Sequence, residues 1–284
     1  MSSEPGLFTD IALAERIERA ERSLVEAGAV AAACREPRVC TVELGSGLAV
    51  WVGPGSPLDK VVGAGMGGDF DDGALDAAER AFAEQETPVQ FEVSTLADPA
   101  LVQQLTRRGY VLTGFENVLG RRLTPGPAAR VSNGIAIETV APADFDTWID
   151  VVATAFATPD TQGVVSHEEH DRSAIADAIT DMSSASGYSG SLARIGGVPV
   201  GGASLRLSDG IAQFCGAATL PEFRCRGVQG ALLDARLATA AAAGCDLAVV
   251  TTLPGSKSQQ NVQKLGFQLL YARAILVRTF ETSS

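Results

Sequence analysis

The stretch FRCRGVQGALL, residues 223–233, has the composition of an anion-binding turn. It places Arg224 and Arg226 among two glycines and then continues into a segment rich in alanine and leucine. Where a strand turns into a helix, the backbone N–H groups of the first helical turn point outward, and the helix dipole adds partial positive charge. Arginine suits phosphate oxygens, and glycine permits close backbone approach. The stretch predicts a pyrophosphate site; the alternative is a tight strand–helix connection with two surface arginines.

The common nucleotide-binding motifs do not account for this turn. No Gly-Lys-Ser or Gly-Lys-Thr sequence follows it, which excludes a P-loop, and its glycine spacing does not fit the dinucleotide-binding Gly-x-Gly-x-x-Gly pattern.

The segment SHEEHD, residues 166–171, holds both histidines of the chain, His167 and His170. A histidine with an ordinary pKa of about 6.5 suits proton transfer at neutral pH. The His-x-x-His spacing could also suggest a metal, but the sequence places no third ligand. The alternative is an exposed, charged start of a helix.

The composition is that of an acidic globular protein. The net charge of −12 over 284 residues argues against nucleic-acid binding, which favours clustered lysine and arginine. An acidic surface is compatible with a cationic small substrate, although acidity also serves solubility alone. Five cysteines without a CxxC pair predict reduced thiols in a cytoplasmic protein. No apolar run approaches the roughly 20 residues that span a bilayer.

The segment RRLTPGPAARVSNG, residues 121–134, is typical of a linker. It predicts two domains, 1–124 and 131–284. The C-terminal half has, in order, a strand, two helices, a three-strand meander, the quoted turn with its helix, a buried strand, a helix and a final strand or hairpin. This order predicts a mixed α/β (α+β) fold.

The N-terminal half repeats the last part of that order. DGALDAAERAFAEQ reads as a helix, PVQFEVST as a strand, and DPALVQQLTRRGY as a helix that ends in Arg-Gly-aromatic. The following VLTGFENVLGRRL matches QLLYARAILVRTF of the C-terminal half in length and pattern. The match predicts an internal repeat of a whole domain, with chance similarity of two α/β segments as the alternative.

Residues 135–280 resemble the GNAT superfamily of acyl-CoA-dependent N-acetyltransferases. The family fingerprint at a helix start is Arg or Gln, two residues, Gly, one residue, then Gly or Ala; here Arg224, Gly227 and Gln229 stand at those positions. The lead-in at 219–222 and the LGF turn at 265–267 also match. With its degenerate N-terminal copy, the chain resembles a tandem GNAT protein. This implies two GNAT-like domains, each a central mixed, mostly antiparallel sheet flanked by helices.

Two positions depart from the family pattern. Gln229 stands where the family has Gly or Ala, so binding through the backbone requires its side chain to turn away. Val262 stands four residues before Gly266, where many members carry the tyrosine that protonates the departing thiolate.

The resemblance implies that the fourth strand of the C-terminal domain splays from the fifth, with acyl-CoA in the gap. Pantetheine would bind the backbone of the fourth strand, and one N–H would hold the thioester oxygen as negative charge develops. An amine would attack the thioester in a ternary complex that needs no metal. The implied acetyl-CoA-binding residues are Ala218, Thr219, Leu220, Arg224, Cys225, Arg226, Gly227, Val228, Gln229, Gly230, Ala231 and Asn261.

The groups that transfer protons are less clearly marked. His167 lies in a segment that, by analogy with the family, walls the acceptor pocket, and Glu222 lies beside the turn. Tyr271, after the LGF turn, is a fallback general acid, with a packed strand aromatic as the alternative. Gln213 stands early on the fourth strand, where some members carry a carboxylate, and an amide cannot act as a base.

The N-terminal counterpart of the turn is GMGGDFDDG, residues 65–73. It carries Asp69, Asp71 and Asp72 in place of the arginines, and these carboxylates would repel a pyrophosphate. We therefore expect that the N-terminal domain binds no CoA and has a structural or pocket-shaping role.

Together these features favour an acetyl-CoA-dependent N-acetyltransferase that acts on a primary amine of a small molecule. We expect no nucleic-acid or membrane partner, and a monomer or a homodimer. Two alternatives stay open. One is a non-catalytic acyl-CoA sensor, motivated by the missing tyrosine and strand carboxylate, and the other is an N-acetyltransferase that acts on proteins.

Overall fold

The computed structural model describes residues 6–67, 71–124, 134–158, 164 and 170–280. The N-terminal half contains α1 (Ile11–Ala32), β1 (Cys40–Leu44), β2 (Gly47–Trp51), β3 (Lys60–Val62), α2 (Asp72–Ala83), β4 (Val89–Ser94), α3 (Pro99–Arg107) and β5 (Val111–Arg122). The C-terminal half contains β6 (Ile135–Thr139), α4 (Phe145–Phe156), α5 (Arg172–Met182), β7 (Tyr188–Ile195), β8 (Val198–Ser208), β9 (Ile211–Thr219), α6 (Val228–Ala242), β10 (Leu247–Thr252), α7 (Lys257–Lys264) and β11 (Gln268–Arg278). None of the helices in these ranges is long and apolar enough to cross a membrane.

The first compact unit comprises Thr9–Asn117 and Tyr271–Ser284. Its strands lie in the order β1-β2-β3-β4-β11, followed by the first part of β5. The β3/β4 pair is parallel, whereas β1/β2, β2/β3 and β4/β11 are antiparallel. Successive side chains of a strand point to opposite faces. Phe91 therefore packs among residues of α2 and α3, while its neighbour Glu92 faces the Arg273 side chain that contacts α1.

The second compact unit comprises Met1–Phe8 and Val118–Leu270. Its strands lie in the order β10-β9-β8-β7-β6, with the last part of β5 beside β10. Only β9/β10 is parallel among the pairs β6 to β10. Leu205 of β8 packs with Leu233 and Leu237 of α6. Gly202, on the other face of β8, leaves room for Trp148 of α4, because a Cβ there would lie 2.8 Å from the indole. The sheet is thus covered on both faces.

Two long strands contribute to both units. β5 belongs to the first unit up to Asn117 and to the second from Val118, and β11 belongs to the second unit up to Leu270 and to the first from Tyr271. The packing units thus change at Phe8, Asn117 and Leu270, and the domain limits 1–124 and 131–284 stay a prediction from the sequence.

The order of elements repeats along the chain. The series β1-β2-β3-α2-β4-α3-β5 in the N-terminal half has the same order as β7-β8-β9-α6-β10-α7-β11 in the C-terminal half. Each series contains one parallel pair, β3/β4 and β9/β10. In this order, α2 corresponds to α6. The predicted class, a mixed sheet flanked by helices, is confirmed.

Candidate functional site

The parallel pairing between β9 and β10 ends before either strand does. Their parallel register runs from Leu247 opposite Ile211 to Val249 opposite Gln213, after which the described strands continue unpaired with each other. The splay implied for the fourth and fifth strands of this domain thus has a counterpart here. At the end of β10, the buried Thr252 hydroxyl has no hydrogen-bond partner among the described residues, which is uncommon for a buried polar group.

The other edge of β9 determines which backbone groups face this opening. Leu220 donates its N–H to the Val200 carbonyl of β8 at 3.0 Å. Along an antiparallel strand the backbone groups point alternately toward and away from the partner. The N–H groups of Ala218 and Leu220 therefore face β8, and those of Ala217 and Thr219 face away from it. Of the three residues predicted to bind pantetheine through the backbone, only Thr219 presents its N–H on the open side.

The turn that follows β9 leads into an uncapped helix. Cys225 has φ 62° and Gly227 has φ 86°, both in the left-handed region. Gly227 is the N-cap of α6 and provides no side-chain cap. The backbone hydrogen bonds of the helix begin with Ala231 donating to the Gly227 carbonyl at 3.0 Å. The first-turn N–H groups thus precede the helical ladder, as the anion-site prediction requires.

The two arginines of the turn have different contacts. The Arg224 guanidinium donates to the Thr219 carbonyl at 3.3 Å, to the Ala155 carbonyl of α4 at 3.5 Å and to the Thr158 carbonyl just after α4. Arg226 is exposed and lies 5.2 Å from the centre of the Phe223 ring. Arg224 therefore ties the turn to α4, and Arg226 is the arginine whose charge is open to a ligand.

Gln229, the residue that departs from the family pattern, has its side chain turned toward α7. Its Oε1 accepts a hydrogen bond from Asn261 Nδ2 at 2.7 Å. At the neighbouring Gly230, an added Cβ would meet no atom within 4 Å. The start of α6 is therefore open at Gly230. The Gln229 side chain is held by Asn261 of α7, a residue that was itself predicted to bind acetyl-CoA.

The predicted proton-transfer residues are not gathered into one cluster. His167 lies outside the described residues, and Glu222 is exposed on a single 3-10 turn. Tyr271 belongs to the first compact unit, where it is buried and donates to Glu18 Oε1 at 2.6 Å. Burial, and then the charge of Glu18, raises the pKa of Tyr271. These contacts do not support Tyr271 as the acid for a departing thiolate.

Gln213 is also engaged within the protein. Its Oε1 accepts a hydrogen bond from the buried Arg206 guanidinium at 3.0 Å. A buried amide bound in this way orders the strand and offers no base.

Sequence reasoning overlooked Arg236. This residue of α6 is only 3% exposed and donates to backbone carbonyls on β8 and β9. A signal was present, because Arg236 stands beside Leu233, Leu237 and Ala240 on the apolar face of a helix, where a charged residue is unusual.

The N-terminus of α2 is arranged differently. Asp71 is its N-cap, and Asp71 Oδ1 accepts a hydrogen bond from Ala74 N at 2.7 Å. Asp72 lies 3.2 Å from Arg108 and accepts from Gln104 at 2.6 Å. Asp69 lies outside the described residues. The helix start that would hold a pyrophosphate in this half is occupied by the chain's own carboxylate.

Across the described part of the chain, no three His, Cys, Asp or Glu side chains are grouped so that they could hold a metal ion.

Comparison with known proteins gives a family and a fold. The acetyltransferase (GNAT) family matches residues 152–267, which include the turn, α6 and the LGF turn. No curated protein sequence is significantly similar to the chain.

Three solved structures illustrate the fold. A GCN5-related N-acetyltransferase from Kribbella flavida has a TM-score of 0.63 at 20% identity, over 93% of this chain and 96% of its own. A tandem GNAT protein from the clavulanic acid biosynthesis pathway has a TM-score of 0.61 at 13% identity, over 90% and 89%. A GCN5-related N-acetyltransferase from Sphaerobacter thermophilus has a TM-score of 0.57 at 16% identity, over 74% and 68%. Residues 152–267 therefore match the acetyltransferase (GNAT) family, and the chain has the fold of these GNAT structures.

Proposed function

We propose that the domain predicted at 131–284 transfers an acetyl group from acetyl-CoA to a primary amine of a small molecule. One observation carries the proposal: the part of β9 that has no partner on β10 leads, through the turn at residues 220–227, to the uncapped N-terminus of α6. A helix N-terminus binds phosphate, and an unpaired strand edge binds an extended amide-containing chain. CoA contains both groups, joined in one molecule.

The donor would be held mainly by backbone groups. The first-turn N–H groups of Val228, Gln229 and Gly230, together with the Arg226 charge, suit the pyrophosphate. The outward N–H groups of Ala217 and Thr219 suit the pantetheine arm and the thioester oxygen. Because these contacts use the backbone, they tolerate Gln229 in place of a small residue.

The reaction we infer is direct transfer in a ternary complex. The amine nitrogen attacks the thioester carbon, negative charge develops on the oxygen beside a β9 N–H, the C–S bond breaks and CoA leaves as the thiolate. The amine must lose a proton before or during attack. We propose His167 or Glu222 for this step, directly or through water.

The first compact unit serves in this proposal as a structural partner. Its helix start is capped by Asp71, which supports the expectation that it binds no CoA. Within the described residues, no disulfide joins any of the five cysteines, which supports action in the cytoplasm.

A titration with two thioesters tests the donor site. Calorimetry with acetyl-CoA should show one site per chain. S-acetyl-N-acetylcysteamine, which keeps the thioester and part of the pantetheine but lacks the pyrophosphate, should bind far more weakly. Equal binding of both ligands would contradict the helix site, and two sites per chain would contradict the structural role of the first unit.

The acceptor is tested by thiol release. Acetyl-CoA is incubated with a panel of small primary amines and, in parallel, with peptides that carry a free N-terminus or lysine. Turnover on small amines alone supports the proposal, and turnover on peptides alone supports the protein acetyltransferase alternative.

A second candidate, a non-catalytic acyl-CoA sensor, is favoured by one feature. Val262 is buried where many GNAT proteins carry the acidic tyrosine, and the fallback Tyr271 hydrogen-bonds to Glu18. Tight binding of acetyl-CoA with no thiol release on either panel would establish the sensor.

A further inference from the structure

Arg236 carries a positive charge into the interior of the second unit. Its side chain is 3% exposed, and no carboxylate among the described residues forms a salt bridge with it. Burial lowers the pKa of Arg236 to about 10, so the guanidinium stays charged at neutral pH. An unpaired buried charge costs free energy and needs strong compensation.

The compensation comes from backbone carbonyls and one aromatic ring. Arg236 Nη1 donates to the Ser204 carbonyl at 3.1 Å and to the Gly216 carbonyl at 3.0 Å, and Nε donates to the Leu232 carbonyl at 3.3 Å. The guanidinium carbon lies 4.4 Å from the centre of the Phe214 ring, a favourable cation–π distance.

These contacts lie at an irregularity in the sheet. Ser204 is paired with Gly216, but the next paired residues are Arg206 and Gln213, so β9 has one residue more than β8 in this interval. Such a bulge locally disrupts the ladder and bends the strand. Arg236 Nη1 therefore bridges β8 and β9 at the Ser204–Gly216 pair, which adjoins the bulge. This part of β9 is no longer paired with β10.

The peptide group between Gly216 and Ala217 connects this contact with the opening beside β9. In a trans peptide the C=O and the N–H point in opposite directions. The Gly216 carbonyl accepts from Arg236, and the Ala217 N–H points away from β8, toward the side on which β10 has parted. A hydrogen bond from a cation to the carbonyl polarises the peptide and strengthens the N–H as a donor.

We propose that Arg236 is a positioning residue that fixes the β9 bulge and polarises the Gly216–Ala217 peptide, making the Ala217 N–H the donor for the thioester oxygen. This inference rests on the proposed function for its catalytic part. The polarisation itself is a property of the free protein and is measured without any ligand.

The free protein is tested by NMR with ¹³C-carbonyl glycine and ¹⁵N-alanine. Only Gly-Ala peptides then give carbonyl-to-amide correlations, and the sequence contains six of them, including Gly216–Ala217. In Arg236→Met we expect upfield shifts of the Gly216 carbonyl carbon and the Ala217 amide proton, with Arg236→Lys in between. The other five signals serve as internal references. An unmoved Gly216–Ala217 signal in a folded variant overturns the proposal.

Arg206→Met is the matched control. Arg206 is another buried arginine close to the bulge, 5% exposed, but it donates to Gln213 Oε1 and to the Ser186 carbonyl. Its loss should destabilise the protein comparably without shifting the Gly216–Ala217 signal. A shift as large as in Arg236→Met would show a general loosening of the sheet and overturn the specific role.

Kinetics complete the test. Arg236→Lys keeps the charge and is the variant expected to fold best. Its kcat should fall about tenfold, while its KM for acetyl-CoA should change less than about threefold. The expected loss is smaller than the hundredfold to thousandfold cost, roughly, of removing an oxyanion donor outright, because the Ala217 N–H is still present. A change confined to KM would contradict the proposal. If the wild-type protein shows no turnover, the proposed function fails, and the NMR shifts still decide whether Arg236 polarises the peptide.

Discussion

The N-termini of α2 and α6 stand at the same point in the repeated order of elements, and they differ in whether a side chain caps the first-turn N–H groups. At α2, the Asp71 carboxylate accepts from Ala74 N at 2.7 Å. At α6, the N-cap is Gly227 in the left-handed region, with no side-chain cap. An acidic side chain at a helix start places negative charge where a ligand phosphate would otherwise lie. The same local structure therefore has a side-chain cap in one half and none in the other.

The interiors of the two units differ in the same sense. In the first unit, Arg273 lies 2.9 Å from Glu18 and 3.3 Å from Glu92, and Lys60 lies 3.0 Å from Glu92. These charges are paired with one another. In the second unit, the contacts of Arg236 among the described residues are with backbone carbonyls and the Phe214 ring. In the first unit, the buried arginine is therefore neutralised by carboxylates. In the second unit, the buried arginine instead donates to backbone carbonyls of β8 and β9.

The largest expected effect is on the stability of the first unit, when the ion pairs of Arg273 with Glu18 and Glu92 are removed. Arg273→Met leaves the buried carboxylates of Glu18 and Glu92 without their shared cation, and removing one partner of a buried pair costs about 3–5 kcal/mol. We expect the free energy of unfolding, measured by urea denaturation, to fall by about that amount. The acetyl-CoA affinity of the protein that remains folded should not change.

Arg38→Met provides the control for this prediction. Arg38 pairs with Glu36 at 2.9 Å, but its side chain is 57% exposed. Its loss should lower the free energy of unfolding far less than Arg273→Met does, because solvent screens an exposed ion pair. If Arg273→Met stayed folded and lost acetyl-CoA binding, the first unit would have more than a structural role.

The second prediction makes the α6 turn resemble the α2 turn. Gly227→Asp introduces a carboxylate at the N-cap of α6, and Gly227→Asn introduces the same shape without the charge. Asn and Asp tolerate the left-handed region best among non-glycine residues, so the backbone strain is matched. We expect the Kd for acetyl-CoA to be about tenfold to a hundredfold higher for Asp than for Asn, because of repulsion between the carboxylate and the pyrophosphate. Calorimetry at low ionic strength measures the ratio, and equal affinities would place the pyrophosphate elsewhere.

The third prediction concerns the removal of the Asp71 cap from the N-terminus of α2. Asp71→Ala removes the cap and should lower the free energy of unfolding by about 1 kcal/mol, whereas Asp71→Ser, which can also cap, should lower it less. The variant should still bind one acetyl-CoA per chain, because Asp72 keeps its negative charge at this helix start. A second site in the calorimetric titration would show that the Asp71 carboxylate alone blocks binding.

The sequence was sufficient where local chemistry decides the structure. The three-strand meander, the glycine-rich entry to α6 and the repeated order of elements all follow from periodicity and turn residues. The exchange of β5 and β11 between the units could not be read in this way. The two strands match in pattern, so sequence alone does not say which compact unit each part of them joins.

In the candidate site, too, local features could be predicted from the sequence and long-range contacts could not. Gly227 and the uncapped helix start follow from residue type and spacing. The direction of Arg224 toward the α4 carbonyls, and the hydrogen bond between Tyr271 and Glu18, depend on contacts far apart in sequence. The pairing of β9 with β8 likewise selects Ala217 and Thr219, because which N–H groups face outward is set by register rather than by residue type.

The smallest expected effect concerns the residue that departs from the family pattern. Gln229→Ala restores a small residue and removes the hydrogen bond to Asn261. If the backbone of α6 holds the pyrophosphate, the Kd for acetyl-CoA should change by less than about threefold, which is under about 0.7 kcal/mol. Asn261→Ala removes the same hydrogen bond while keeping the Gln229 side chain, and it separates loss of the bond from loss of the side chain. A Kd that rises more than about tenfold in Gln229→Ala but not in Asn261→Ala would make the glutamine side chain itself a ligand, and the difference between the two helix starts would then lie in side chains rather than in the cap.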